Sequence, residues 1–424
     1  MNDLRLFLPC AAGVEHYLQS EINEITGLEC TALRGGVQLQ APWREVLRIN
    51  LYSRLCQRVL VELQHRPYRS EQDLYEAASA VAWEAWFTPR QHFKVEITAQ
   101  HSPLTSLNFA TLRVKDAVAD RFRQKAGVRP DVETTWPDVR IYVHLTTDTV
   151  TLYIDTSGEP LFKRGWREDK GDAPLKETLA AAMLHAADWP ALAGAGTPLY
   201  DPCCGSGTIA IEAAQMARNR APGLARHFGF EKLLPFALPI WNAIKSEAIA
   251  AENTWAGDIF GSDVSFRMVD FAERNAQRAG VQDLVQFRGG DALQRMPPCE
   301  LQVGAAGLML LNPPYGERID VAGIAREDRA APAAAAGREM AQADDGGDFF
   351  KQLASHWKKH YPGWTAWLLS PDLKLPGRMR LKESRRVPMW NGPIECRIFR
   401  FDLVQGSARA KSAGPAVPPA QALD

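Results

Sequence analysis

The chain has 424 residues, 46% of them hydrophobic, and balances 49 Lys and Arg against 50 Asp and Glu. Such length leaves room for more than one core, and near-neutrality excludes a uniformly basic nucleic-acid binder, so any surface for a polyanion has to be local. No apolar run reaches membrane-spanning length, and seven cysteines without paired Cys-x-x-Cys spacing argue against a disulfide framework or structural zinc and fit a reducing cytoplasm.

In chain order, Leu4 to Val14 reads as the first strand of a small α/β module rather than an export signal. Asp3 and Arg5 bracket its start, and Pro9-Cys10 lacks the small residue that precedes a lipid-modified cysteine. An amphipathic helix follows around Glu15 to Ile25, and a second near Trp43 to Val61. Strands are expected around Phe93 to Gln100 and Val139 to Asp148, with Thr149 to Thr156 alternating in strand fashion. Mixed βαβ elements of this size suggest ferredoxin-like pieces. Between them, Ser106 or Asn108 can start a helix that carries Arg113, Lys115, Arg121 and Arg123 opposite its apolar positions. Residues 1–170 hold 21 Lys and Arg and 22 Asp and Glu, so these cations form either a local polyanion patch or an ordinary solvated face.

The second half is punctuated by strand ends. Pro198 to Asp201 runs into Pro202-Cys203-Cys204-Gly205-Ser206-Gly207-Thr208 and then a helix-forming stretch, the opening of a doubly wound unit. Two glycines allow close backbone approach, and the helix amino terminus favours a carboxylate. The third glycine of a dinucleotide fingerprint and the Gly-Lys-Ser/Thr of a phosphate loop are both missing. Ile259 to Asp263 and Val285 to Asp291 each end in an acid, suited to capping a helix or to holding a ligand. Cys203-Cys204 reads as small packing in the glycine turn rather than as nucleophiles.

Leu308 to Leu311 then ends in Asn312-Pro313-Pro314-Tyr315. Two prolines cannot continue a ladder, so the chain leaves the sheet in a stiff extended shape. A strand-terminating turn would account for this. So would a corner in which the Asn312 side-chain oxygen and the Pro313 carbonyl accept from an exocyclic amino group while Tyr315 stacks on its base.

The ordered set Asp201 to Thr208, Asp263, Asp291 and Asn312 to Tyr315 resembles the class I S-adenosylmethionine-dependent methyltransferases, and its Asn-Pro-Pro-Tyr is similar to the branch that methylates exocyclic amines. The resemblance implies an α/β, Rossmann-like, seven-stranded and mostly parallel sheet whose last strand runs antiparallel. It implies S-adenosylmethionine held with its methionine part near Asp201, Gly205 and Gly207, in a loop shared by Pro202, Cys203 and Thr208. Asp263 would take the ribose and Asp291 the adenine. Asn312, Pro313, Pro314 and Tyr315 would form the catalytic corner, with no metal. One departure is the long Asp201-to-Asp263 spacing, so residues near 218–253 read as an insertion.

The segment around 105–123 resembles a THUMP domain, an RNA-binding module of tRNA and rRNA modification enzymes, which implies RNA contacts at Asn108, Arg113, Lys115, Arg121 and Arg123. The joining segment Leu161 to Arg167, followed by Ala173 to Ala182, is similarly typical. Pro174 is read just inside a helix that starts over the cofactor, making Pro174 and Leu175 contact candidates. From about residue 4 to 404 the chain is similar to the bacterial large-subunit ribosomal RNA methyltransferase L family, which makes N2-methylguanosine in 23S rRNA. Expected are a ferredoxin-like part at 1–43, a THUMP domain at 44–157, and a methyltransferase domain at 158–404 with insertions near 218–253 and 321–348. Residues 405–424 read as a disordered tail. The implied partner is 23S rRNA or a large-subunit assembly intermediate, with no membrane and no obligatory protein partner. Some relatives carry a second methyltransferase domain; the chain is read as ending without it. A tRNA guanine, an N6-adenine substrate and a non-catalytic RNA-binding assembly factor remain the alternatives. Lys374 to Arg386, with six cations and one acid, reads equally as an RNA contact or a plain surface loop.

Overall fold

Period-two burial sets the first strand, β1 (Leu4–Pro9), with Leu6 and Leu8 fully buried and Arg5 and Phe7 on its other face. The computed structural model describes residues 3–171, 174–313 and 347–404. After α1 (Glu15–Thr26) comes a hairpin, β2 (Cys30–Leu33) and β3 (Gly36–Ala41), that the sequence reading did not contain. Next, α2 (Trp43–Tyr52) stops nine residues short of the expected Val61. The buried Glu21 carboxylate accepts from the Ser53 hydroxyl at 2.6 Å and from the Arg54 and Leu55 amides at 2.7 and 3.3 Å. These bonds hold the chain in a turn, and the following apolar residues become β4 (Leu60–Pro67).

Beyond β4 lie α3 (Glu71–Ala80), β5 (Phe93–Ala99), α4 (Leu107–Ala126), β6 (Val139–Leu145) and β7 (Thr149–Asp155). Ser70 and Asp73 close a capping box on α3. The Ser106 hydroxyl caps α4 by accepting from the Phe109 amide at 3.2 Å, and Gly127 ends it at φ +74°. The first seven strands make one sheet in the order β2-β3-β1-β4-β7-β6-β5. Because β1 pairs antiparallel with both β3 and β4, the sheet runs unbroken past the expected 43/44 division.

The second sheet has the order β10-β9-β8-β11-β12-β14-β13. Strands β8 (Leu199–Asp201), β9 (Ile259–Asp263), β10 (Val285–Gly289), β11 (Gly307–Leu311) and β12 (Trp364–Ser370) form its parallel part, each parallel to its neighbours within this set. The hairpin of β13 (Arg385–Asn391) and β14 (Ile394–Asp402) turns at Gly392, φ +63°. It sets β14 antiparallel to β12, as the resemblance implied. Helices α5 (Glu177–Ala186), α6 (Trp189–Gly194), α7 (Thr208–Ala217), α8 (Leu238–Ala250), α9 (Phe266–Ala279), α10 (Gly347–His360) and α11 (Leu375–Met379) complete the domain. Pro174 precedes α5 rather than lying inside it: the helix begins at Glu177, after an extended Lys176.

Residues 218–253 act as a bracket between the halves. Phe228, Phe230 and Trp241 form an aromatic cluster with centroids 5.0–5.6 Å apart. Backbone bonds tie this stretch to the amino-terminal half, from Gly223 to Leu51 at 3.0 Å, Phe230 to Thr156 at 2.8 Å and Leu234 to Trp86 at 2.8 Å. A Cβ on Gly223 would lie 2.9 Å from the Leu51 carbonyl, so only glycine admits that approach. The expected insertion near 321–348 and the tail at 405–424 fall outside the described residues, apart from the backbone of Gly347 and Asp348 within α10.

Candidate functional site

Parallel strands β8 to β12 bring their carboxyl ends to one edge of the sheet, where open α/β sheets hold ligands. At the end of β8, Asp201 is 1% exposed and accepts from the Cys203 amide at 3.1 Å. Burial first, and the charge of Asp263 second, push its carboxyl up to about 8. Asp263, ending β9, accepts from the Gly205 amide at 2.9 Å and the Ser265 amide at 3.0 Å. Burial raises its carboxyl as well. Asp291 follows β10 and accepts from the Leu293 amide at 2.9 Å. Each acid therefore shapes its own turn. An ionised carboxylate offers about four lone-pair sites, so these turns leave capacity for a ligand's hydroxyl or amino hydrogens.

The two glycines of the loop do different work. Gly205 has φ +52° and nothing within 4 Å of where a Cβ would stand, so its backbone faces open space beside Asp263. Gly207 has φ +87°, and its Cβ would come 3.0 Å from Ala272 and Phe287, so there glycine serves close packing against α9 and β10. Cys203 and Cys204 are free cysteines. Burial among the acids pushes both thiols well above their ordinary range, which removes thiolate reactivity.

Leu311 ends β11 fully buried, and Asn312 leaves the sheet beside it with Pro313 buried. The Asn312 Oδ1 is buried with no hydrogen-bond partner among the described residues. An orphaned buried acceptor is uncommon because leaving it unpaired costs about 1–3 kcal/mol, and here it sits at the edge where the glycine loop and the acids converge. Pro314 and Tyr315 fall outside the described residues.

Residues that the sequence reading did not assign complete the edge. Val264 and Phe266, directly after Asp263, are 50% and 77% exposed and offer an apolar wall there. The Phe266 ring covers Gly289, whose Cβ would meet it at 2.4 Å. The joining segment supplies Arg167, which donates to Glu177 Oε1 at 2.7 Å, Ser206 Oγ at 2.9 Å, Thr208 Oγ1 at 2.7 Å and the Leu175 carbonyl at 3.3 Å. One guanidinium thereby fixes the start of α5, the Leu175 backbone and the glycine loop together. Asn275 of α9 reinforces the loop by donating to the Asp169 and Ser206 carbonyls at 2.9 and 3.1 Å. The only sequence signal for Arg167 was its place in the joining segment.

Deeper still, Glu212 of α7 is fully buried between Arg54, at 3.2 Å, and Arg164, at 3.0 Å. On α4, Arg113 donates to Gln72 at 2.8 Å and lies over the Tyr75 ring. Arg121 is committed to Glu84, at 2.9 and 2.6 Å, and to the Ser79 carbonyl at 2.9 Å. Asn108 and Arg123 are exposed, and Lys115 lies 3.5 Å from Asp116. No cluster of metal-ligating side chains occurs among the described residues, and no helix there is long and apolar enough to cross a membrane.

Comparison with known proteins bears on the domains and the fold. Residues 5–60 match the RlmL ferredoxin-like domain, 68–155 the THUMP domain and 164–327 the RMKL-like methyltransferase domain. Ribosomal RNA large subunit methyltransferase K/L of Shewanella oneidensis is 34% identical over 96% of the chain and 54% of its own length. The protein of the same name from Psychromonas ingrahamii is 34% identical over 94% and 50%. The chain thus spans about half the length of the curated relatives it matches. Among solved structures, SMU.472 complexed with SAH superposes with a TM-score of 0.79 at 25% identity, over 95% of this chain and 98% of that one. A predicted N6-adenine-specific DNA methylase from Listeria monocytogenes gives 0.78 at 27%, over 94% and 96%. In chain order, then, the chain carries regions similar to the RlmL ferredoxin-like domain, the THUMP domain and the RMKL-like methyltransferase domain.

Proposed function

We propose that the chain is an S-adenosylmethionine-dependent methyltransferase that modifies the exocyclic N2 amine of a guanine in 23S rRNA. The observation that carries the reading is the buried Asn312 Oδ1 at the carboxyl edge, without a hydrogen-bond partner among the described residues. A planar amino group has two hydrogens to give. Asn312 Oδ1 and the Pro313 carbonyl would accept both, which turns the nitrogen lone pair out of conjugation and toward an electrophile. Tyr315 would stack on the extruded base.

S-adenosylmethionine supplies that electrophile as a sulfonium methyl, and the residues opposite Asn312 suit such a group. Asp201 is buried and Asp263 half-buried, and a cationic ligand beside them would favour their ionised forms; Gly205 leaves its backbone clear, and Val264 and Phe266 form an apolar wall. With the cofactor bound, its sulfonium would give up the methyl to the amine held by Asn312 and Pro313, and the amine's surplus proton would pass to solvent. No residue is assigned as a dedicated base, so positioning carries the rate.

The names of the Shewanella and Psychromonas relatives support rRNA as the substrate, and the THUMP match supports RNA. The corner itself would take an adenine amine equally well, so a tRNA guanine or an N6-adenine substrate is the rival reading. Replacing Asn312 by Ala is expected to lower methyl transfer to unmodified 23S rRNA by about 10²–10³-fold while cofactor affinity, read by calorimetry with SAH, stays unchanged. Wild-type turnover in that variant would remove Asn312 from the mechanism. Mass mapping of the methylated transcript identifies the base.

A further inference from the structure

The glycine loop is held from outside. Ser206 lies between two left-handed glycines, Gly205 at φ +52° and Gly207 at φ +87°, where backbone preference alone leaves many shapes open. The loop's own bonds run from the Gly205 amide to Asp263 at 2.9 Å and from the Gly207 amide to the Cys204 carbonyl at 2.9 Å. Ser206 is buried and gripped by two residues foreign to the loop. Arg167 donates to its hydroxyl at 2.9 Å, and Asn275 donates to its carbonyl at 3.1 Å.

These two contacts belong to a closed ring. Arg278 donates to Asn275 Oδ1 at 2.6 Å, to Asp169 Oδ2 at 2.6 Å and to the Trp166 carbonyl at 2.9 Å. Trp166 and Arg167 are chain neighbours, so the bonds run from the joining segment through α9 to Ser206 and back. Asn275 is fully buried; its amide nitrogen serves the Ser206 and Asp169 carbonyls and its oxygen serves Arg278, which fixes a single orientation of the side chain. Arg167 spreads its fork over Ser206, Thr208, Glu177 and the Leu175 carbonyl, a set of directions that a lysine ammonium cannot reproduce.

We propose that Arg167 and Asn275 are positioning residues for S-adenosylmethionine. By gripping Ser206 from two sides they hold the glycine loop in the shape that receives the cofactor, which makes the joining segment and α9 working parts of the cofactor site. The inference rests on the reading that this loop meets the methionine part of the cofactor. It adds the reason the loop is ready before the cofactor arrives: two glycines that would otherwise spread the loop over many conformations are clipped by side chains from elsewhere in the chain.

The test uses the full chain carrying Arg167→Lys, which keeps a cation beside the buried Glu177 while breaking the fork, and separately Asn275→Ala. SAH affinity, read by calorimetry, is expected to fall about tenfold in each, or about 1.4 kcal/mol. The double variant should lose less than the product of the two, because both act through Ser206. In SAH-free protein, hydrogen exchange at the Ser206 and Gly207 amides should quicken while exchange in the strands stays at the wild-type rate. Affinity for an unmodified 23S rRNA transcript, and the slope of its logarithm against log salt, should not move. Wild-type SAH affinity in Arg167→Lys, or weaker SAH binding with unchanged loop exchange, overturns the proposal. Should Arg167→Lys fold poorly, Ser206→Ala removes only the gripped hydroxyl and should still weaken SAH binding about fivefold, the factor for one net hydrogen bond; an unchanged affinity there overturns the clip as well. Variants that keep wild-type SAH affinity while the wild type methylates RNA defeat this inference alone, whereas a wild type that binds SAH through a clipped loop but transfers no methyl defeats the proposed function and leaves the clip standing.

Discussion

Arginines of the joining segment and arginines of α4 look alike in sequence and act differently in the fold. Arg164 has a side chain 1% exposed and satisfied by Glu212, the Leu161 carbonyl and the Arg54 carbonyl. Arg123 on α4 is exposed. Arg121, two residues earlier, sits between these extremes, 19% exposed and bound to Glu84. Basic residues on a helix next to an RNA-binding motif are therefore not equivalent candidates for RNA. Packing decides which guanidinium is already spent on protein carboxylates and which is left for a ligand.

The strongest way to break this comparison is to remove the buried partner. Arg164→Ala leaves Glu212 with Arg54 alone in a dry site, and stability is expected to fall by about 3–5 kcal/mol, read from urea unfolding. A loss near zero would mean that Glu212 relaxes to water and that the two arginine classes do not differ.

Asp201 offers a pH test of the same contrast between buried and exposed charge. Its folded carboxyl is raised to about 8, whereas an unfolded Asp titrates near 3.9. Between those values the folded state binds the extra proton, so stability declines as pH rises through the window and levels off above it. Asp201→Asn should flatten much of that decline in thermal melts, with Asp263, shifted in the same direction, leaving a residue. A wild type whose melting temperature is flat or rising from pH 4 to 8, apart from its other groups, contradicts this assignment.

The smallest effects separate the two α4 arginines. Arg121→Ala is expected to cost stability about 1 kcal/mol, as a partly exposed bidentate pair, while leaving the salt slope of RNA binding unchanged. Arg123→Gln should do the reverse, with stability within about 0.5 kcal/mol and the slope lower by about 0.7–0.9. If both variants alter the slope equally, the Glu84 pair opens on RNA binding and the contrast drawn here fails for α4.

Much of the site was readable because its signals are local. An acid at the end of an apolar strand, a Gly-x-Gly turn before a helix and Asn-Pro-Pro after Leu311 each constrain their own backbone within a few residues. Asp201, Gly205, Gly207, Asp263, Asp291 and Asn312 accordingly meet at one edge. Ser106 as the cap of α4 was legible for the same reason. The second helix was read too long because Leu55 to Val61 is apolar at either period, and the Glu21 carboxylate that ends it arrives from 33 residues away.

Taken alone, the sequence determined the doubly wound sheet and the strand ends that meet at its carboxyl edge, since turn and strand preferences act over short range. Tertiary structure decided the rest. It made one continuous sheet of the amino-terminal strands, turned the 218–253 stretch into a bracket between the halves, and gave Arg167 four partners around the glycine loop. It also left Asn312 Oδ1 without a partner among the described residues and Arg54 bound to a glutamate 158 positions away. Such pairings depend on which distant residue supplies the opposite charge once water is excluded, and no local pattern encodes that.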